Sequence, residues 1–378
     1  MIINIEKLRN SLKKIEEAVG TEWLEKWVHE IKSLEFNAAP TKNYQDFMSK
    51  IPPMAVIWCK AQDELTMMSI TGDLKLKKVL LKGYEIGENL VKCSELPDLD
   101  KLIDLLKSND MDNFKRASYS LFVAAGYTGL GYKLFGGNPL IVDYKGTAVQ
   151  VFCQACGIFT QKDLELHRFW YVLSTELGRR LTFYRQNRAV LITAREDPKI
   201  EDVMGIIKEV SSNIAVSENQ VEINLDINSK YMVKLTALED IDKHGNKLRV
   251  PRNYEFGMVI GSSVVAFNLA GGSDREKKII EKCRYINELA DKKIPTILYV
   301  DIPVSQTQDI NVLIKYYSEQ IKIKHILNLE NLSKIIISGH LSEFDQSDLN
   351  YLYKGDSIDN SCANVQLPRG FIPYIPGH

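Results

Sequence analysis

Apolar residues recur along the start of the chain at the spacing of one helical face. Ile5, Leu8, Leu12, Ile15 and Val19 follow one another at steps of three and four, the repeat that a 3.6-residue turn brings to one side. Gly20 closes that helix and Thr21 supplies a cap for the next. There, Leu24, Trp27 or Val28, Ile31 and Leu34 repeat the pattern. The Pro52-Pro53 pair punctuates the chain, and further helices are predicted over 74–91 and 99–107. Residues 1–111 are therefore expected to form a helical N-terminal domain, whose packing faces suit a protein partner.

The texture changes after this point. A helix is predicted over 113–127, with Ala117, Leu121, Ala124 and Ala125 on one side. Short β-like runs follow at 132–135, 140–144 and 148–153, the last two joined by the turn signal Lys145-Gly146. A long helix is predicted over 162–181 on the stripe Leu166, Trp170, Leu173, Leu177 and Leu181. A buried-type strand at 189–193 and a helix at 200–210 come next. This order implies a βαβ crossover and a partly parallel sheet. A strand-rich stretch at 221–238 leads to a polar loop or boundary at 239–255. Strands at 258–269, 296–301 and 334–338 then alternate with helices at 273–290 and 310–318. The expected domains are 1–111, 112–240 and 257–378, the last two being α/β and possible parts of one sheet. Residues 366–378, with three prolines and two glycines, are expected to lie over the surface or pack as an irregular strap.

Composition narrows the class. The 378 residues include 48 Lys and Arg against 49 Asp and Glu, for a net charge of −1, which excludes a polybasic binder. The start of the sequence lacks the apolar core of a signal peptide, and the nearly apolar run 258–272 is too short and too polar to span a bilayer. Six scattered cysteines are expected as reduced thiols in a cytoplasmic protein.

Few motifs carry chemistry. The Cys153-Gln-Ala-Cys156 pair admits buried thiols, a metal site or redox chemistry; with no second knuckle, buried thiols are the expectation. The glycines between Gly126 and Gly131 follow a helix and suit a cap or turn. Ala270-Gly-Gly-Ser-Asp274 sits between a strand and a helix. There Ser273 can cap, and the backbone amides can face an anion; an ordinary capped turn is expected. Arginine is clustered: six of thirteen fall between Arg168 and Arg195, namely Arg168, Arg179, Arg180, Arg185, Arg188 and Arg195. Phe169, Trp170, Tyr171, Phe183 and Tyr184 interleave with them. Guanidinium groups beside aromatics suit a nucleic-acid backbone or stacked bases, and Arg168, Arg179, Arg180, Arg185 and Arg188 are the candidate contacts. The competing reading is a solvated helix face paired to Asp163, Glu165 and Glu176.

Residues 113–154, NFKRASYSLFVAAGYTGLGYKLFGGNPLIVDYKGTAVQVFCQ, follow the order helix, strand, strand opening after proline, turn, alternating strand. This resembles the core of the restriction-endonuclease-like, or PD-(D/E)xK, superfamily. The resemblance extends to about residue 200 and, more loosely, over 257–345. It implies an α/β fold with a mixed sheet flanked by helices. It also implies a helix glutamate, an Asp after Pro and a Glu-x-Lys on the next strand, binding Mg2+ or Mn2+. Here the helix has Ser118 and Ser120 but no glutamate, Leu140 follows the proline, and Phe152-Cys153-Gln154 stands for Glu-x-Lys. The resemblance then implies a catalytically inactive nuclease-like component that binds nucleic acid or protein, in prokaryotic defence or DNA transactions, with no cofactor. One alternative is an active metal-dependent nuclease whose site has migrated to Asp143, Gln154 and Glu165, with Lys145 and Gln150 nearby. Another is a structural or regulatory interaction protein, which an oligomer would also suit.

Overall fold

The computed structural model describes residues 5–37, 51–71, 78–137, 139–156, 161–183, 187–216, 222–238, 250–251, 253–304, 310–340 and 353–377. Arg185 and Tyr184, part of the helix predicted from 74 and most of the polar stretch 239–255 lie outside the described residues. The protein is α/β with two mixed sheets. Among the described residues no helix is long and apolar enough to cross a membrane.

Two compact units are present. Unit 1 comprises Met1–Gly157, Cys283–Ile302 and Leu329–His378; unit 2 comprises Ile158–Lys282 and Pro303–Asn328. These boundaries differ from the expected 111 and 240.

Unit 1 begins with the helices α1 (Ile5–Val19), α2 (Thr21–Asn37), α3 (Pro53–Thr71), α4 (Lys78–Lys92), α5 (Leu99–Leu106) and α6 (Met111–Gly129). The predicted stripe holds: Leu8, Leu12, Ile15 and Val19 are all buried. Gly87 of α4 lets α1 pack closely, because a Cβ there would collide with the Ser11 carbonyl. Asp110 caps α6 by accepting from the amides of Asp112 and Asn113 at 2.8 and 2.9 Å. The helices share one apolar core with the sheet, in which Leu12 and Leu106 belong with Val142, Val151 and Ile297.

That sheet has six strands in the order β1-β2-β3-β9-β10-β11: β1 (Lys133–Phe135), β2 (Leu140–Tyr144), β3 (Thr147–Ala155), β9 (Thr296–Pro303), β10 (Lys334–His340) and β11 (Tyr353–Asp359). Strands β1, β2 and β3 form an antiparallel meander. Lys145 and Gly146 both have positive φ, 54° and 83°, the conformation of a tight hairpin turn.

Unit 2 holds α7 (Gln161–Phe183), β4 (Arg188–Ala194), α8 (Val203–Val216), β5 (Glu222–Ile227), β6 (Tyr231–Ala237), β7 (Phe256–Ile260), β8 (Ser263–Leu269) and α10 (Ile310–Lys324). The helix α9 (Asp274–Leu289) is grouped with unit 2 as far as Lys282 and with unit 1 from Cys283. The five-stranded sheet runs β5-β6-β4-β8-β7, with β4 and β8 parallel and the other neighbours antiparallel. Leu166, Trp170, Leu173, Leu177 and Leu181 of α7 are buried in its core.

The predicted crossover needs a correction. The helix α7 leads from β3 to β4, but β4 joins the second sheet, and the parallel neighbour of β3 is β9, with Val151 opposite Ile297. Sequential strands are neighbours only by default; here the residues between them build a sheet of their own. Ile297, Leu298, Tyr299 and Val300 are fully buried, the continuous apolar run of a strand covered on both faces.

Candidate functional site

The strands that resemble the nuclease core do not assemble a metal site. Leu140 lies opposite Val151, and Asp143 opposite Ala148. Opposed residues share a face and successive residues alternate. Leu140 and Val142 therefore share a face with Val149, Val151 and Cys153, and all five belong to the core with α6. Asp143, Phe152 and Gln154 lie on the other face, so Leu140 and Phe152 do not meet in one place. Asp143 and Gln154 share a face but stand far apart. Gln154 is six residues beyond the partner of Asp143, roughly 20 Å along the strand. Asp143 accepts the Gly146 amide at 2.9 Å and so braces the hairpin turn, while Gln154 is buried. Leucine and phenylalanine offer no oxygen ligand and Gln154 offers a neutral one, so these positions do not fit Mg2+ or Mn2+. Among the described residues no three His, Cys, Asp or Glu side chains are grouped to hold a metal.

Cys153 and Cys156 are buried. Burial pushes the Cys153 thiol up to about 12, against a smaller opposing effect of its hydrogen bond with Ser120. A thiol held neutral is a poor nucleophile and ligand.

The arginine cluster separates into two kinds. Arg168, Arg179 and Arg180 are exposed on α7, where Tyr171 and Phe183 are also exposed, at 56% and 78%. The spacing 168, 171, 179, 183 repeats at helical intervals and forms one outward stripe about 22 Å long. Arg179 pairs with Glu176; among the described residues Arg168 and Arg180 have no ion-pair partner. Arg188 is a correction: it is only 2% exposed on β4, where its amide donates to Ser263 Oγ at 3.2 Å. Arg195 donates to the Ser229 carbonyl and to Asp226, both at 2.8 Å, and serves the β5–β6 hairpin.

Glu165, the third migrated-site candidate, lines a small open cleft of about 100 Å3 with Lys162, Asp197, Leu269, Gly272 and Asp274. The cleft stands at the carboxyl ends of the parallel strands β4 and β8, since Ala194 lies opposite Leu269. Ligands of open α/β sheets favour such ends. Lys162 pairs with Asp197 at 3.2 Å. That hydrogen bond, with the charges of Asp197, Asp274 and Glu165, raises the lysine's affinity for its proton. Three carboxylates against one ammonium suit cations, which opposes the phosphate-cradle reading of the glycine turn.

Below that turn lies a buried cluster that pattern reading missed. Ser273 caps α9, accepting the Glu276 amide at 3.1 Å. Ser273 Oγ donates to Glu255 Oε1 at 3.1 Å, and Tyr317 Oη donates to the same oxygen at 2.7 Å. Glu276 accepts from Tyr316 at 2.6 Å and from Lys324 at 3.4 Å. Arg275 Nη2 donates to His167 Nε2 at 2.9 Å; arginine can only donate, so that ring nitrogen carries no proton. Glu255 is 2% exposed. Burial raises its pKa, opposed by the Arg275 charge and the Tyr317 and Ser273 hydrogen bonds. The one available signal was Ser273-Asp-Arg-Glu276, the spacing of a capping box. The serine half forms, while the glutamate turns to Tyr316 and Lys324. Through these bonds the cluster joins α7, α9 and α10 with the residue that precedes β7.

Comparison of the chain with protein-family models, with curated proteins and with solved structures returned no match.

Proposed function

We propose that the protein is a nuclease-like component that binds nucleic acid without cutting it. The observation that carries binding is the outward stripe of α7, Arg168, Tyr171, Arg179 and Phe183, with the exposed Arg180 beside it. Such a face offers guanidinium groups to phosphates and rings to bases. The nuclease-like reading draws support from the consecutive elements α6-β1-β2-β3, with β9 parallel to β3 in the same sheet. The absence of cutting follows from the residue types at the inferred ligand positions. Leu140 and Phe152 cannot hold a hard cation, and Asp143 is too far from Gln154 to join it. A role in prokaryotic defence or DNA transactions belongs to the same proposal.

The test is a gel shift with duplex DNA, single-stranded DNA and RNA over a salt series, with Mg2+ or Mn2+ present. Binding that weakens steeply with salt is expected, with the probes left intact. The triple change Arg168→Ala, Arg179→Ala, Arg180→Ala is expected to remove most of the affinity. Cleavage lost in Asp143→Ala would instead favour the migrated nuclease site, and no binding to any probe would favour a protein-interaction role.

A further inference from the structure

In unit 1 the irregular segment 367–377 lies against an aromatic face in the manner of a bound peptide. It contains no helix or strand, and the face holds it through side chains. Tyr132 Oη donates to the Ile372 carbonyl and accepts the Ile372 amide, both at 3.1 Å. Tyr144 Oη donates to the Arg369 carbonyl at 3.4 Å. Tyr299 Oη donates to the Tyr374 carbonyl at 2.6 Å; with its proton so committed, it accepts from Tyr127 Oη at 2.8 Å. Three tyrosines thus read the backbone of three residues of the segment.

Two rings fill the seats between them. Phe371 sits edge-on to Tyr144 with centroids 5.6 Å apart, and against Tyr132 at 5.3 Å. Tyr374 meets Phe122 edge-on at 5.7 Å and lies over Gly126, where any Cβ would collide with its ring. Pro376 covers Gly355. Aromatic grooves that take proline-bearing segments combine these same elements: flat rings, hydroxyl donors to backbone carbonyls, and a ligand already stiffened by proline.

We propose that the face of Phe122, Gly126, Tyr127, Tyr132, Tyr144 and Tyr299 is a peptide-binding groove whose external occupant is residues 367–377 of a second copy of this chain. The argument is identity of ligand. Every contact made within one chain is available between two, and only the tether differs. Intramolecular tethering corresponds to an effective concentration of about millimolar, so exchange is suppressed in the wild type and emerges when the resident segment is weakened. Swapping a segment between copies needs no new contact.

Complementary variants test this with full-length chains. One carries Phe371→Ala and Tyr374→Ala, leaving the groove intact and its own segment weak. The other carries Gly126→Val, which blocks the Tyr374 seat and leaves the segment intact. Each alone is expected to elute as a single copy, and a one-to-one mixture as a heterodimer in size-exclusion chromatography with light scattering. A labelled peptide of residues 366–377 is expected to bind the first variant at least tenfold more tightly than the wild type, and not to bind the second. Folded variants that give neither a heterodimer nor peptide binding would overturn the proposal. Should either variant fail to fold, a protease site placed after the exposed Cys362 in the wild-type chain replaces it. The labelled peptide is then expected to exchange into the cut chain, and absence of exchange over days would overturn the proposal equally.

Discussion

Each unit holds a buried polar cluster, and the two clusters differ in chemistry. In unit 1 a chain of neutral hydroxyls lies over the six-stranded sheet. Tyr119 pairs with Ser338, Tyr127 with Tyr299, and Tyr299 with the Tyr374 carbonyl. In unit 2 the buried cluster is built on acidic and basic side chains: Glu255, Arg275 and Glu276 stand among Ser273, Tyr316 and Tyr317. A hydroxyl needs one or two partners to offset its desolvation, whereas a carboxylate needs donors and a cation. The hydroxyl chain is consequently indifferent to pH over the ordinary range, because burial pushes all three tyrosines upward. The ionic cluster is sensitive to both charge and pH.

Removing the cation should produce the largest effect. Arg275 is buried at 3% exposure, and its charge is the foremost influence favouring the ionised Glu255. The change Arg275→Met takes away this nearby cation and the donor to His167, and is expected to cost about 3–5 kcal/mol, as when a buried carboxyl loses its compensating charge. The double change with Glu255→Leu should recover part of that loss. Urea unfolding of the four chains in the cycle measures both, and strict additivity would mean that the two groups act independently.

On the neutral side the corresponding change is Tyr299→Phe. It deletes one donor and one acceptor while preserving the ring, leaving the Tyr374 carbonyl and the Tyr127 hydroxyl short of a partner. A loss of about 1–3 kcal/mol is expected, with no change in the pH dependence of unfolding. A pH-dependent loss would break the contrast between the clusters.

The contrast also marks what pattern could and could not reveal. Helical stripes such as Leu166 to Leu181, the Lys145-Gly146 turn and the Ser273 cap are local, set by spacing and by backbone conformations that few residues adopt. Strand partnership is not local. Val151 meets Ile297 only after the chain has built the second unit, and nothing in either strand names the other. Arg188 belongs to the arginine-rich run with interleaved aromatics that reads as a nucleic-acid contact; its burial follows from the place of β4 between β6 and β8. Glu255 ends a polar stretch that reads as loop, and its burial depends on tyrosines contributed by α10. Asp143 and Gln154 are polar residues of neighbouring strands, but the register that separates them is set by hairpin pairing rather than by residue type.

The mildest prediction concerns a slope. Glu255 holds its proton more tightly in the folded protein than an ordinary glutamate does, because its carboxyl is buried. The folded state thus binds more protons than the unfolded chain between the ordinary glutamate value, about 4.3, and the raised folded one. Stability from this group is complete below that range and falls as pH rises through it. Glu255→Gln retains an acceptor for Ser273 and Tyr317 without an ionisable proton. The difference in unfolding free energy between wild type and this variant should therefore shift in the variant's favour as pH rises from 4 to 8. The slope can reach at most about 1.4 kcal/mol per pH unit, and other carboxylates cancel in the difference. A flat difference would mean that Arg275 and the two hydroxyl donors fully offset the burial of Glu255. The ionic cluster would then be as indifferent to pH as the hydroxyl chain of the other unit.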